Sequence, residues 1–307
     1  MMNNAATSSD KASVGVLLSA TVGFCALLAV KDLLFRVLAL EGMSSGQILF
    51  MVGLACGITS ISVAVLTRGQ VELKNKKLQL VRFFVAGLSG YFIAEAFRVL
   101  NASSVAMVSK IYIPLLLLVS PLIGVSYTAR QKVLAAASIG AIGIFILCTH
   151  QSEIPIEGYG YAIIAALLVM VEYITLRRTA LSEKLFWTAA TPAMSCLVYG
   201  LLTAGPMNVI HILDMPIATI AIAFLAGVIL YLVYAVSIHR YRILPIGISE
   251  YPSLVTALVL LPLEFLIYGG HPESSYILCL VSTTFLMGLT IYFRDHDHLP
   301  KPARATA

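Results

Sequence analysis

Charged residues are scarce in this chain. Asp, Glu, Lys and Arg make up 11% of its 307 residues, whereas they make up about 25% of a typical soluble domain. Hydrophobic residues account for 59%, and the mean hydropathy is +0.93. This composition excludes an ordinary soluble fold and predicts an all-α integral membrane protein with many spans.

Cysteine is also sparse, and its placement forms no chemical motif. The five cysteines are odd in number, lie within apolar runs and lack the spacing of metal ligands. We interpret them as small buried hydrophobes rather than as redox groups. They are Cys25, Cys56, Cys148, Cys196 and Cys279.

Catalytic and nucleotide-binding motifs are missing. The sequence has no glycine-rich phosphate loop, no paired metal-ligand motif and no nucleophile with a histidine partner. We therefore expect neither an enzyme nor a cofactor or metal, and a gradient rather than ATP must drive any transport. The net charge of +5 is spread over loops instead of one basic face, so we expect no nucleic-acid partner.

Long apolar runs fill the chain from end to end. At roughly 20 residues per span plus short links, the length allows about ten transmembrane helices and no separate soluble domain. The hydropathy pattern predicts helices at 13–38, 46–66, 83–100, 103–125, 132–148, 159–177, 185–204, 217–238, 247–268 and 275–293.

The distribution of basic residues predicts the orientation of these helices, because cytoplasmic loops retain Lys and Arg. With the N-terminus inside, most of the 20 basic residues fall on inner segments, above all 67–82, while the outer links carry acidic residues such as Glu41 and Asp214. Both termini are therefore predicted to be cytoplasmic. The lack of long outer loops and disulfides favours a bacterial inner membrane.

The two halves of the chain look alike. Ala86-Gly87 and the turn after Leu100 are echoed by Ala226-Gly227 and the turn after Leu244, and each turn leads into a proline-bearing helix. Because five is an odd number, the second five helices must enter the membrane from the opposite side, as an inverted repeat with a site near the midplane. The predicted organisation is a disordered cytoplasmic segment 1–12, a first repeat 13–149, an outer linker 150–158, a second repeat 159–293 and a cytoplasmic tail 294–307.

Several stretches have the pattern of a known family. They are Lys31 late in the first helix, LNASSVAMVSKIYIP entering the fourth, AALLVMVEYITLRR across the sixth and RILPIGISEYPSLVTALVLL entering the ninth. With the five-plus-five arrangement, they resemble the drug/metabolite transporter superfamily in its ten-helix EamA-like branch. The resemblance covers nearly the whole chain and implies a central cavity lined by helices 1 to 4 and 6 to 9, with helices 5 and 10 packed to the side. One departure is Ala257, which stands at the position equivalent to Pro114.

Lys110 is the first candidate for the site, because an ionisable group in hydrocarbon costs at least ~2.5 kcal/mol on insertion scales. It lies about seven residues, or roughly 10 Å, into the fourth predicted helix. Ser103, Met107, Pro114 and Pro121 share its helical face. This face is expected to line the cavity, with Lys110 holding a substrate carboxylate or phosphate. The alternative is neutralisation by a carboxylate of the protein.

Glu172, near the middle of the sixth predicted helix, is the complementary candidate. Its carboxylate can pair with a substrate amine, or take up a proton and couple transport to the proton gradient. The alternative is an ion pair with Lys110 or Lys31. Tyr112 is a further candidate for the cavity wall, although membrane tyrosines also serve as interfacial anchors.

One face of the third predicted helix carries Tyr91, Glu95 and Arg98. Glu95 and Arg98 are three residues apart and can pair locally. A paired boundary charge is one interpretation of this face, and substrate binding by Glu95 and Tyr91 is the other.

Three further charges are candidates for gating or coupling. Lys31 has no predicted local partner, because Asp32 and Arg36 are spaced to pair with each other. Glu250 and Glu264 share a face near opposite ends of the ninth predicted helix. For both, solvation or a salt bridge at the boundary is the alternative.

Charges of both signs in the interior favour a secondary transporter that moves a small polar or zwitterionic metabolite by alternating access. An amino acid, or a compound such as S-adenosylmethionine, fits this hypothesis, with a proton or a counter-substrate as the coupled species. A lipid flippase or a lipid-modifying membrane enzyme is the alternative. Gly140 and Gly143 suit close helix packing, either within the fold or in a homodimer.

Overall fold

The computed structural model describes residues 6–68, 72–119, 128–150, 155–180, 185–243, 251–268 and 274–296. All regular secondary structure in these ranges is helical. The helices are α1 (Ala6–Leu40), α2 (Ser45–Leu66), α3 (Lys76–Val99), α4 (Ala102–Ser109), α5 (Tyr112–Val119), α6 (Ala129–His150), α7 (Ile156–Ala180), α8 (Leu185–Ala204), α9 (Pro206–Ile210), a 3₁₀ turn (His211–Asp214), α10 (Ile217–Ile243), α11 (Tyr251–Tyr268) and α12 (Ser274–His296).

Seven helical segments in the described ranges are long and apolar enough to cross a membrane. Shorter apolar stretches lie in α11 at Ser253–Tyr268 and in α12 at Tyr276–Leu289. The chain is therefore an α-helical membrane protein, as the composition predicted. The seven segments are Ser45–Leu66, Lys76–Val99, Ala102–Val119, Ala129–Thr149, Ile156–Leu176, Leu185–Ala204 and Ile217–Ile238.

Several helix boundaries differ from the prediction. Helix α1 begins at Ala6, so residues 6–12 are helical rather than disordered. Helix α3 begins at Lys76, seven residues before the predicted start, because the polar residues from Lys76 onward are compatible with a helix even though they lie outside the apolar run. The link before α10, predicted as a plain outer loop, contains α9 and the 3₁₀ turn.

The predicted fourth helix is interrupted at Lys110, between α4 and α5. Pro114 has no N–H to donate to the carbonyl of Lys110, four residues earlier. That carbonyl instead accepts a hydrogen bond from the Ile113 N–H at 3.0 Å. The Lys110 N–H donates to the Met107 carbonyl at 3.1 Å, so a 3₁₀-like turn separates the two helices.

Glycines bring α2 and α8 into close contact. A Cβ on Gly53 would lie 2.7 Å from the Leu197 nitrogen, and one on Gly200 would collide with the backbone of Phe50. In contrast, such a Cβ on Gly140 or Gly143 in α6 would have no atom of the described residues within 4 Å. Close glycine packing within the fold therefore occurs between α2 and α8, whereas packing of Gly140 and Gly143 in a homodimer stays a prediction.

The remaining helices pack in a consistent order around this pair. Helix α3 packs on α7 and α8, and α10 packs on α1 and α2. Helix α11 lies against α1 and α4. Helices α6 and α12 pack on each other, with the Phe145 and Tyr276 rings 5.4 Å apart.

Candidate functional site

Two adjoining cavities lie inside the bundle. The first, called here the Glu172 cavity, has a volume of about 180 Å³. The second, called here the Lys110 cavity, has a volume of about 160 Å³. Both are lined by Lys31, Ile93, Tyr112 and Val169, so the two volumes meet at these four side chains.

The charged residues of the two cavities lie at different depths of the bundle. The start of α7 lies beside the end of α3, because a Cβ on Gly158 would touch Leu100. Helices α4 and α7 therefore begin at the same end of the bundle. At ~1.5 Å per residue, Lys110 is about 12 Å and Glu172 about 24 Å from that end. In a hydrocarbon core about 30 Å thick, Lys110 would lie near the middle and Glu172 about 6 Å from the opposite side.

The cavity walls come from helices in both halves of the chain. Helices α1, α3, α5 and α7 contribute to both cavities. Helices α2, α8 and α10 contribute only to the Glu172 cavity, whereas α4 and α11 contribute only to the Lys110 cavity. Helices α6 and α12 contribute to neither of these two cavities in the described part of the chain.

Glu172 is held at the wall of its cavity by α3 and α10. The Tyr234 hydroxyl donates a hydrogen bond to Oε1 at 3.0 Å, and the Arg82 guanidinium lies 3.9 Å from the same oxygen. The alternative that the sequence left open for Glu172 was an ion pair with Lys110 or Lys31, but among the described residues its ion pair is with Arg82. Lys110 lines the other cavity.

Arg82 was missed by the sequence analysis, which assigned it to the basic inner segment 67–82. It is fully buried, donates to the Thr188 carbonyl at 2.9 Å and to Gln79 Oε1 at 3.1 Å. The signal that could have found it is helical spacing. Arg82 shares one face of α3 with Ala86 and Ser89, four and seven residues later, and these two residues line the Glu172 cavity.

Lys31 lies where the two cavities meet. Its ammonium is 2.8 Å from Asp32 Oδ1 and 5.8 Å from the centre of the Phe35 ring. The predicted pairing of Asp32 with Arg36 is therefore wrong. Arg36 instead donates to the carbonyl of Phe97 near the end of α3. Helical spacing cannot predict this contact, because the two residues lie in different helices.

Lys110 lies at the break between α4 and α5, and its neighbour Ser109 also lines the Lys110 cavity, as does Ser253 from α11. The helix break changes the predicted face, because residues on either side of it no longer follow one helical period. Pro114 is buried and is not among the residues that line either cavity. Tyr112 lines both cavities, and its ring lies 6.1 Å from that of Tyr173.

Glu264 connects α11 to the start of α4. Its carboxylate is buried and accepts hydrogen bonds from the N–H groups of Ala102 and Ser103, the latter at 3.1 Å, and from the Ser103 hydroxyl. The Tyr276 hydroxyl of α12 lies 2.7 Å from the same serine oxygen. Asn101, the N-cap residue of α4, makes no side-chain cap, so Glu264 supplies the cap from a distant helix.

The remaining predicted site residues lie elsewhere. Glu95 pairs with Arg98 at 3.3 Å, and the Arg98 side chain is 47% exposed. Neither Glu95 nor Tyr91 lines one of the two cavities. Tyr91 contacts the neighbouring Phe92 ring at 5.6 Å. Glu250 lies outside the described residues.

The described residues contain no cluster of His, Cys, Asp or Glu that could hold a metal ion. The cavities instead combine apolar walls with two carboxylates, two lysines and several hydroxyls. Such a set can bind a small molecule that has an apolar body and charged or hydrogen-bonding groups.

These features define an α-helical membrane protein with a charged internal cavity. No family model and no curated protein matches the chain. Among solved structures, the chain is similar to one crystal structure of a protein with a TM-score of 0.55 and 16% sequence identity. The match covers 89% of this chain and 99% of that chain. At this identity the similarity shows a shared fold alone.

Proposed function

We propose that this protein is a secondary transporter that moves a small polar or zwitterionic metabolite by alternating access through the joined cavities. The observation that carries the proposal is the pair of adjoining cavities inside the bundle, with Lys31, Lys110 and Glu172 on their walls. Charges are costly in a membrane interior and usually mark a substrate or ion pathway there. In this proposal the sequence resemblance to the EamA-like drug/metabolite transporters names the class of transporter.

The packing order supports an inverted repeat of five plus five helices. We pair α1 with α7, α2 with α8, α3 with α10, the α4–α5 segment with α11, and α6 with α12. If each helix is replaced by its counterpart in the other half, the contact of α3 with α8 becomes the contact of α10 with α2. In the same way, the contact of α3 with α7 becomes the contact of α10 with α1. Both members of each pair of contacts occur.

Two glycines support the same exchange. A Cβ on Gly87 of α3 would collide with Ser195 and Tyr199 of α8. A Cβ on Gly227 of α10 would collide with Ala55 of α2 and with the Val52 carbonyl. The echo of Ala86-Gly87 in Ala226-Gly227 thus falls on contacts that the proposed repeat makes equivalent.

The cavity walls also fit this class of transporter. The elements that form them correspond to predicted helices 1 to 4 and 6 to 9, while α6 and α12 correspond to helices 5 and 10 at the side. In the proposed topology both termini are cytoplasmic and the membrane is a bacterial inner membrane. The substrate carboxylate or phosphate lies toward Lys110, and a hydrogen-bond donor of the substrate lies toward Glu172. A proton or counter-substrate supplies the work.

A ligand screen followed by transport tests the proposal. The purified protein is heated in detergent with amino acids, nucleosides, nucleotide sugars and S-adenosylmethionine, and each compound that raises the melting temperature is assayed for uptake into proteoliposomes. K110A and E172A are expected to lose uptake by at least about tenfold, which corresponds to about 1.4 kcal/mol of lost binding or transition-state interaction.

E95Q is the matched control, because Glu95 is a carboxylate within a membrane helix that lines neither cavity. It should transport like the unmodified protein. If K110A and E172A transported as well as E95Q, the assignment of the cavity would be refuted. If no soluble compound bound but fluorescent phospholipids moved between leaflets, the flippase alternative would replace the proposal.

A further inference from the structure

Arg82 is the largest fully buried side chain in the described part of the protein. Its guanidinium is fixed by groups other than Glu172. It donates to the Thr188 carbonyl of α8 at 2.9 Å and to Gln79 of its own helix at 3.1 Å. The separation of 3.9 Å from Glu172 is longer than the roughly 2.7–2.9 Å of a direct charge-assisted hydrogen bond. The position of the cation therefore does not depend on that carboxylate.

The two oxygens of Glu172 have different surroundings. Within the described ranges, both polar contacts of the carboxylate involve Oε1, from the Tyr234 hydroxyl at 3.0 Å and from Arg82 at 3.9 Å. The residue also lines the Glu172 cavity, and its side chain is 12% exposed. Because these contacts hold Oε1, Oε2 is the oxygen that is available to accept a hydrogen bond from a ligand.

A carboxylate in an apolar surrounding needs a compensating charge, because removing an ion from water is strongly unfavourable. Among the described residues, the cation within ion-pair distance of Glu172 is Arg82, and Lys31 lies on the same cavity wall in contact with Asp32. The other titratable side chains on that wall are Tyr112, Tyr173, Cys196 and Tyr234.

We infer that Arg82 is the positioning residue of the Glu172 cavity: it is the fixed counter-charge of Glu172 and, with Tyr234, directs Oε2 toward the substrate. Because the protein itself compensates the carboxylate, Oε2 can accept a hydrogen bond from a neutral hydroxyl or amide as well as from an ammonium group. This inference relies on the proposed transport function for its role in substrate binding, but the charge compensation is measurable without a substrate.

The test uses the full-length protein in detergent at neutral pH with no added ligand, and the variants R82K, R82Q, E172Q and R82Q/E172Q. Infrared difference spectra of protein with isotope-labelled glutamate distinguish a carboxylate from a protonated carboxyl group. In R82Q, a protonated carboxyl band is expected that is missing from the unmodified protein and from R82Q/E172Q. R82K keeps the positive charge and should show no such band. A purely packing role for Arg82 would not predict this difference between R82K and R82Q.

The thermal unfolding of the same four variants gives a second readout. R82Q should lower the melting temperature, and the added E172Q change should restore most of the loss, because both buried charges are then gone. If R82Q cannot be purified, recovery of folded protein in R82Q/E172Q supports the counter-charge, whereas no recovery overturns it.

The spectra can also refute the inference directly. One refuting result is a protonated carboxyl band of Glu172 in the unmodified protein. The other is a folded R82Q variant that lacks this band. Either result would show that Arg82 does not set the charge of Glu172. Neither result depends on the identity of a substrate, so failure of this inference and failure of the transport proposal are separate outcomes.

Discussion

Replacement of Glu264 by glutamine tests whether a carboxylate from α11 caps α4. In the structure, the carboxylate accepts two backbone N–H groups and the Ser103 hydroxyl. An amide of the same size keeps one acceptor oxygen. Its NH₂ group, however, replaces the other acceptor oxygen, so that N–H donors of the glutamine face buried donor groups at the start of α4.

The expected cost follows from two losses. A hydrogen bond to a charged group contributes about 1.5–3 kcal/mol. A negative charge at a helix N-terminus contributes roughly 0.3–1 kcal/mol when exposed and up to ~2 kcal/mol when partly buried. Loss of one charged hydrogen bond together with the charge–dipole term predicts a destabilisation of about 3 kcal/mol. For a chain of this size, we expect the melting temperature to fall by roughly 5 °C.

A thiol-reactive dye provides the assay, because Cys25, Cys56 and Cys196 are buried in the folded protein and become reactive on unfolding. E95Q is the control, since Glu95 pairs with the half-exposed Arg98 and such pairs contribute only about 0.2–1 kcal/mol. A melting temperature of E264Q that falls no further than that of E95Q would refute the capping role of Glu264.

Two further predictions concern packing and the helix break. G200V should prevent folding or lower the melting temperature by more than about 5 °C, because its Cβ collides with the Phe50 backbone. G143V is the control and should change the melting temperature by less than about 2 °C, because its Cβ lies in open space among the described residues. Equal effects of the two variants in detergent would contradict the α2–α8 contact. P114A restores an N–H that can bond to the Lys110 carbonyl, so α4 and α5 should join, with little loss of stability but with weaker uptake of whichever compound the ligand screen identifies. Unchanged uptake by P114A would show that the break is not needed to place Lys110.

Much of the helical architecture follows from local properties of the chain. Apolar runs of about 20 residues predict membrane helices because the backbone can satisfy its hydrogen bonds only within itself in lipid. Glu172 stood out because a carboxylate in such a run is costly, and the structure places it on a cavity wall. The local pairing of Glu95 with Arg98 followed from helical spacing in the same way.

Hydropathy failed at two positions for identifiable reasons. Arg82 follows a run of basic residues, so its charge was counted with a solvent-exposed segment, although α3 had already begun at Lys76. Lys110 lies in an unbroken apolar run, and hydropathy does not detect a missing hydrogen bond. The effect of Pro114 on the carbonyl four residues earlier is the information that predicts the break.

The sequence by itself determined that this is a helical membrane protein with a few costly charges in its interior, because composition, run length and helical spacing are local quantities. Only the tertiary structure decided the partners of those charges: Arg82 and Tyr234 for Glu172, and the start of α4 for Glu264. These partners lie 62 to 162 positions apart in the chain. Their proximity depends on how the helices pack, and neither the charge nor the hydropathy of a residue specifies which distant helix will lie beside it.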